Sequence, residues 1–167
     1  MVNVWKIGAW PGFPGIKLSL ENKNEFINKY ALPKNFVAIG YEDCKAENKT
    51  EEEIKEICKN DCDNVNWGRC SKEFINFTKD IKYGDIILLY NYGQVYAGIA
   101  QKRDDGKVYY ETKEIPKHRI DVKWLYKKKS KRADFGKWQD TVHQLEREDI
   151  VKIKDEELKE FLDKNYT

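Results

Sequence analysis

The 167-residue chain has no apolar run near the about 18 residues that a membrane-spanning helix needs, and its N-terminus lacks a signal-peptide pattern. Those absences predict a soluble, cytoplasmic protein. Also missing are H-E-x-x-H, G-x-S-x-G and the Walker motif, the sequence signatures of zinc proteases, α/β-hydrolases and P-loop nucleotide hydrolases. Histidine is scarce, with only His118 and His143. Of Cys44, Cys58, Cys62 and Cys70, only Cys58 and Cys62 stand one helical turn apart. A zinc site needs two close pairs, or one pair with histidines nearby, so no metal is expected. The thiols are expected to be reduced or to form one disulfide. His143, beside Asp140 and Glu146, reads as a surface residue, and a cysteine nucleophile paired with it has little support. With no internal repeat and no low-complexity linker, residues 1–167 read as one domain that is not an enzyme and needs no cofactor.

What is present is aromatic and unevenly charged. Trp, Tyr and Phe make up 13% of a chain that is 36% charged, so rings either build the core or are held back for a ligand. Net charge is only +2, but it is segregated. Between residues 117 and 137, nine Lys or Arg stand against Asp121 and Asp134. Between 42 and 63, nine acids stand against four lysines. A basic face of this kind suits a polyanion better than a membrane, although a charge run also serves simply as a solvated surface.

Periodicity organises the chain into helices first and strands later. Residues 3–9 read as a strand and 19–30 as a helix, with Phe26, Ile27 and Tyr30 as its apolar stripe. "FVAIGY" (36–41) reads as a buried strand. Thr50 with Glu53 makes a capping box for a helix whose inner side holds Ile54, Ile57 and Cys58. A further helix is expected over 71–79. "IILLY" (86–90) and "VYAGIA" (95–100) form a hairpin around "NYGQ", and "DDG" (104–106) turns the chain into "KVYYET". "HRIDVKWLY" (118–126) alternates Ile120, Val122 and Trp124 on one face, and residues 154–165 close the chain as a helix. Short strands with helices early and late predict an α+β, barrel-like sheet.

"WKIGAWPGFPGIK" (5–17) looks at first like a phosphate cradle. It lacks the Gly-Lys-Ser/Thr ending, and Pro11 and Pro14 remove backbone donors that a cradle would use. A stiff Gly/Pro frame instead holds Trp10 as a rigid ring.

Three stretches in order resemble the PUA-like superfamily, specifically its EVE and YTH-type modified-base-binding domains. They are "NVNWGRCSKEFINF" (64–77), "GDIILLYNYGQVYAGIAQ" (84–101), and "HRIDVKWLYKK" (118–128) with "FGKWQDTVHQLEREDI" (135–150). The opening "WKIGAWPG" is most similar to the N-terminal DNA-recognition domain of McrB-type restriction GTPases, whose GTPase domain this chain does not contain. The resemblance implies a twisted β-barrel flanked by helices and an aromatic cage for a flipped-out base. It places Trp67 and Trp10 at the cage. "EIPKHR" (114–119) lacks the second cage Trp of YTH domains, which leaves Tyr90 or Tyr92 as further cage candidates.

Rings alone discriminate poorly, since stacking returns about 1–3 kcal/mol for any base. One buried methyl adds only about 0.8 kcal/mol. Selectivity therefore needs hydrogen bonds to the base edge, for which Asn66 and Asn91 are candidates, although turn Asn residues often serve the backbone. Lys127, Lys128, Lys129, Lys131 and Arg132 of "KKKSKR" are candidates for phosphate contacts. Trp5 and Trp124, inside strand patterns, are expected in the core, and Trp138 fits either role. The resulting expectation is a reader of methylated double-stranded DNA, with methyladenine first and methylcytosine next. An attached AAA+ GTPase domain and a nuclease subunit would supply cleavage. The rivals are an RNA-binding PUA-like module, an enzyme acting on nucleic acid, and a protein-interaction module.

Overall fold

The computed structural model describes residues 2–9, 20–41, 44–61, 67–91, 94–126 and 141–165. In chain order they form β1 (Val4–Gly8), α1 (Leu20–Phe26) continued by a π-helical turn (Ile27–Ala31), β2 (Phe36–Ile39), α2 (Glu51–Asp61), and α3 (Trp67–Ile75) continued by a second π-helical turn (Asn76–Asp80). There follow β3 (Ile86–Asn91), β4 (Gln94–Ala100), β5 (Tyr109–Glu111), β6 (His118–Tyr126), β7 (Val142–Leu145), α4 (Arg147–Val151) and α5 (Glu156–Asn165).

Local signals account for most of these elements. Thr50 Oγ1 accepts the Glu53 N–H (3.2 Å) while Glu53 Oε2 accepts the Thr50 N–H (2.8 Å), the reciprocal capping box that starts α2. Helix α3 begins four residues earlier than the apolar stripe indicates, which puts Trp67 in its first turn. β7 and α4 fall where periodicity predicts no element. "VHQL" is short and half polar, so it carries no strand periodicity of its own. It becomes a strand by pairing along β1, and Glu146 with Asp149 then caps α4.

The strands make one mixed sheet in the order β2-β6-β4-β3-β1-β7, with β5 also on β6. β1 and β3 run parallel, and the other pairs are antiparallel. The sheet curls strongly into a half-barrel flanked by helices, an α+β fold of barrel-like type. An irregularity lies where β4 meets β6. There the register shifts between Ala97 and Gly98, and a Cβ on Gly98 would stand 2.5 Å from Val122 Cγ1 and 2.7 Å from the Lys123 carbonyl oxygen. Only glycine lets the two backbones approach this closely.

Both faces of the central strands are buried, which explains the unbroken apolar run of β3. On the concave side Trp5, Ile7, Ile87, Leu89, Val122 and Trp124 pack with Phe26, Ile27, Phe74 and Phe77 from the first three helices. On the convex side Val4, Ile86, Leu88, Val95 and Ala97 pack under Ile150, Leu158 and Leu162 of α4 and α5. Trp5 and Trp124 are thus core residues, as their strand positions predict. Cys44 and Cys58 are buried and Cys70 is partly buried. Cys62 lies outside the described residues. Among the described residues no helix is long and apolar enough to cross a membrane.

Candidate nucleic-acid interface

One end of the half-barrel gathers strand ends and a helix start. At the C-terminal end of β1, the Gly8 N–H donates to the Thr141 carbonyl (2.7 Å) and the Ala9 N–H to the Tyr90 carbonyl (2.8 Å). The Thr141 N–H, just ahead of β7, donates to Glu73 Oε1 of α3 (3.0 Å), which also accepts from Arg69 Nε (3.1 Å). β6 finishes at the same end, because it runs parallel to β3 with Tyr126 opposite Ala97.

Helix α3 points its start at this end. Glu73 is anchored here, whereas the helix terminates at Asp80 and the chain enters β3 six residues later, at the strand's other end. The helix therefore runs back along β3. Trp67 lies six residues before Glu73, about 9 Å of helical rise. Its ring is 41% exposed, although it opens a helix whose other rings, Phe74 and Phe77, are fully buried.

The remaining predicted residues divide. Asn91, only 3% exposed, donates from Nδ2 to Asn24 Oδ1 of α1 (2.7 Å) on the concave side. Tyr90 is half-buried and packs on the convex side with the cluster under α4 and α5. Successive strand residues face opposite ways, so Tyr90 and Asn91 stand on different faces of β3. Trp10, Tyr92, Asn66, Lys127, Lys128, Lys129, Lys131 and Arg132 lie outside the described residues, as does Trp138. The described neighbours of those stretches, Ala9, Trp67, Asn91, Tyr126 and Thr141, lie at or point to the end just described.

Two residues here escaped the sequence reading. Asn24 was overlooked beside the stripe of Phe26, Ile27 and Tyr30. The buried positions Ile27 and Ala31 continue an i, i+3, i+7 row that starts at Asn24, whereas Tyr30 is exposed. Lys6, 1% exposed in β1, stands opposite His143 of β7, and His143 is half-buried rather than on the open surface. Full burial of lysine is rare, and its signal was a single polar residue within an apolar strand.

At the other end of the sheet a buried polar chain fixes β5 and β6. His118 Nε2 donates to the Tyr41 carbonyl (2.9 Å), and the Tyr109 hydroxyl lies 2.8 Å from both His118 Nδ1 and Glu111 Oε1. Glu111 Oε1 further accepts the N–H groups of Ala46 (2.6 Å) and Glu47 (2.8 Å). Burial pushes the Glu111 carboxyl up, but these donors outweigh it and hold the group below its ordinary value. Burial holds His118 below its ordinary 6.5, against the opposing pull of the Tyr41 carbonyl and Glu111.

The unfolded chain therefore binds the His118 proton before the folded one does. This contribution to stability is complete above about pH 6.5 and is lost as pH falls from there toward the lower folded value. Thermal melts from pH 8 to 5 are expected to show that loss, and His118→Gln is expected to flatten the slope in that window. An unchanged slope in the variant would assign the acid sensitivity to other groups.

Comparison with curated proteins and with solved structures gives no match. Residues 16–154 match the family described as "Domain of unknown function (DUF8426)", a span that takes in every strand except β1, and helices α1 to α4. The chain belongs to the DUF8426 family.

Proposed function

We propose that this chain is a PUA-like, EVE/YTH-type reader of methylated DNA that takes one flipped-out base at the end of the half-barrel where β1 and β3 finish. The observation that carries the reading is Trp67, a large ring left exposed at the start of a helix anchored at that end by Glu73. Extruding a base costs a few kcal/mol, which stacking on rings repays in part. In this reading Trp10 and Tyr92 join Trp67 around the base, and Tyr90 is structural. Asn91, held by Asn24, and Asn66 address the base edge. The segment 127–132 neutralises phosphates. Methyladenine is the first ligand and methylcytosine the second. The chain binds without catalysing, and cleavage belongs to an attached GTPase and a nuclease subunit of a modification-dependent restriction system.

The test is a binding series over matched DNA duplexes and RNA strands carrying methyladenine, methylcytosine or neither. Trp67→Ala is expected to remove about 1–3 kcal/mol of binding to modified duplex. Binding to unmodified duplex, supplied by phosphate contacts, should change little, and so should the melting temperature. A variant that keeps the preference for modified DNA would exclude Trp67 from the cage. Preference for RNA would replace the DNA reading, and no binding of any strand at low salt would end both.

A further inference from the structure

The opposite end of the sheet carries a second concave site, independent of the reading above. A pocket of about 290 Å³ opens between the loop ahead of α2, the π-helical end of α3, and the approach to β5. Lys79 and Lys82 line it from one stretch of chain and Lys107 from another, with Glu47 the one carboxylate in the lining. Its walls are tied in place. Glu47 and Lys107 form an ion pair at 2.5 Å across 60 residues of sequence. Glu111 holds the backbone of Ala46 and Glu47, and the Lys82 ammonium donates to the Lys79 carbonyl. Among the described residues, the Lys79 ammonium has no carboxylate at ion-pair distance.

We propose that this pocket binds a small organic phosphate, with Lys79 as its principal cation. Lysines outnumber carboxylates three to one in the lining itself, although Asp105 and Asp80 act on Lys107 and Lys82 from beside it. That leaves Lys79 as the cation for a phosphate monoester carrying about −1.5 to −2 at pH 7. Converging cations in a concavity raise the local concentration of such an anion. The volume lies just below the usual range of about 300–1,000 Å³ for small-molecule sites, and is too small for a polymer strand. Ile81, Val108 and the Tyr109 ring offer an apolar wall for the organic part. Lys82 lies in the turn leading into β3, whereas Trp67 points to the strand's far end, so the two sites do not overlap.

Calorimetric titration of the full chain with AMP, adenosine and inorganic phosphate at low salt tests this. AMP should bind, phosphate should compete with it, and adenosine should not bind. Lys79→Ala should weaken AMP about tenfold or more, the loss expected for one charge-assisted hydrogen bond, while Lys79→Arg should retain most of the affinity. Lys123→Ala, an exposed change on β6, and Trp67→Ala should leave AMP binding unchanged. No heat with millimolar AMP, equal binding of adenosine, failure of phosphate to compete, or a Lys79→Ala variant that binds like the parent would each overturn the proposal.

Discussion

Asp85→Ala is expected to cost about 3–5 kcal/mol of folding stability, because it strips one buried carboxylate from three donors on two segments. Asp85 is 3% exposed and has no cation beside it among its hydrogen-bond partners. Its Oδ1 accepts the Asn3 N–H (3.0 Å), and Oδ2 accepts the Trp5 indole N–H (2.9 Å) and the Lys82 N–H (2.9 Å). Those bonds join the start of β1 to the turn that enters β3, and the Asp85 carbonyl receives the Ala100 N–H at the end of β4 (2.9 Å). Alanine would leave three donors unpaired, the buried Trp5 indole N–H and the part-buried Asn3 and Lys82 N–H groups, at about 1–3 kcal/mol for each that water cannot reach. Asp85→Asn keeps one acceptor oxygen and should lose less than alanine does. Urea denaturation of the three proteins measures this. A loss below about 1 kcal/mol for alanine would mean that water takes the place of the carboxylate.

Trp124→Ala should destabilise by a similar amount, about 3–5 kcal/mol, through the cavity left by its ring. The side chain is 7% exposed on the concave side, and its indole N–H donates to the Ala31 carbonyl (3.1 Å), the last residue of the π-helical turn after α1. Trp124 pairs across from Gly98, where the register of β4 and β6 shifts. Trp124→Phe keeps most of the apolar volume but gives up the indole bond. It should therefore fall between the two, with the Ala31 carbonyl left to seek another donor. Trp67→Ala is the contrasting case, since removing an exposed ring should leave the unfolding midpoint almost unmoved. If Trp67→Ala destabilised as strongly as Trp124→Ala, Trp67 would be packing rather than recognition.

These two tryptophans show how far local pattern reaches. Trp124 was legible as core because Ile120, Val122 and Trp124 alternate with polar residues, and a period of two marks one face of a strand. The hairpin of β3 and β4, the α2 capping box and the DDG turn were legible for the same reason. Each is specified by residues within about ten positions of one another. The curled α+β sheet follows from that arrangement of elements, together with Gly98, the residue that allows close approach.

The candidate site was less legible, because its geometry depends on pairings between distant parts of the chain. Asn24 and Asn91 meet across 67 residues, and nothing near either one announces the other. Tyr90 and Asn91 are neighbours in sequence, yet the pleat sends them to opposite faces, and both faces of β3 are buried, so hydrophobicity could not tell which was which. Lys6 shares its face of β1 with Val4, the face that packs under α4 and α5, and "VHQL" is a strand only because β1 offers it an edge. Periodicity in the sequence marks what kind of element a segment forms and how much of it is apolar. Which face meets which partner is decided by strand register and crossover, and these exist only once the sheet is assembled.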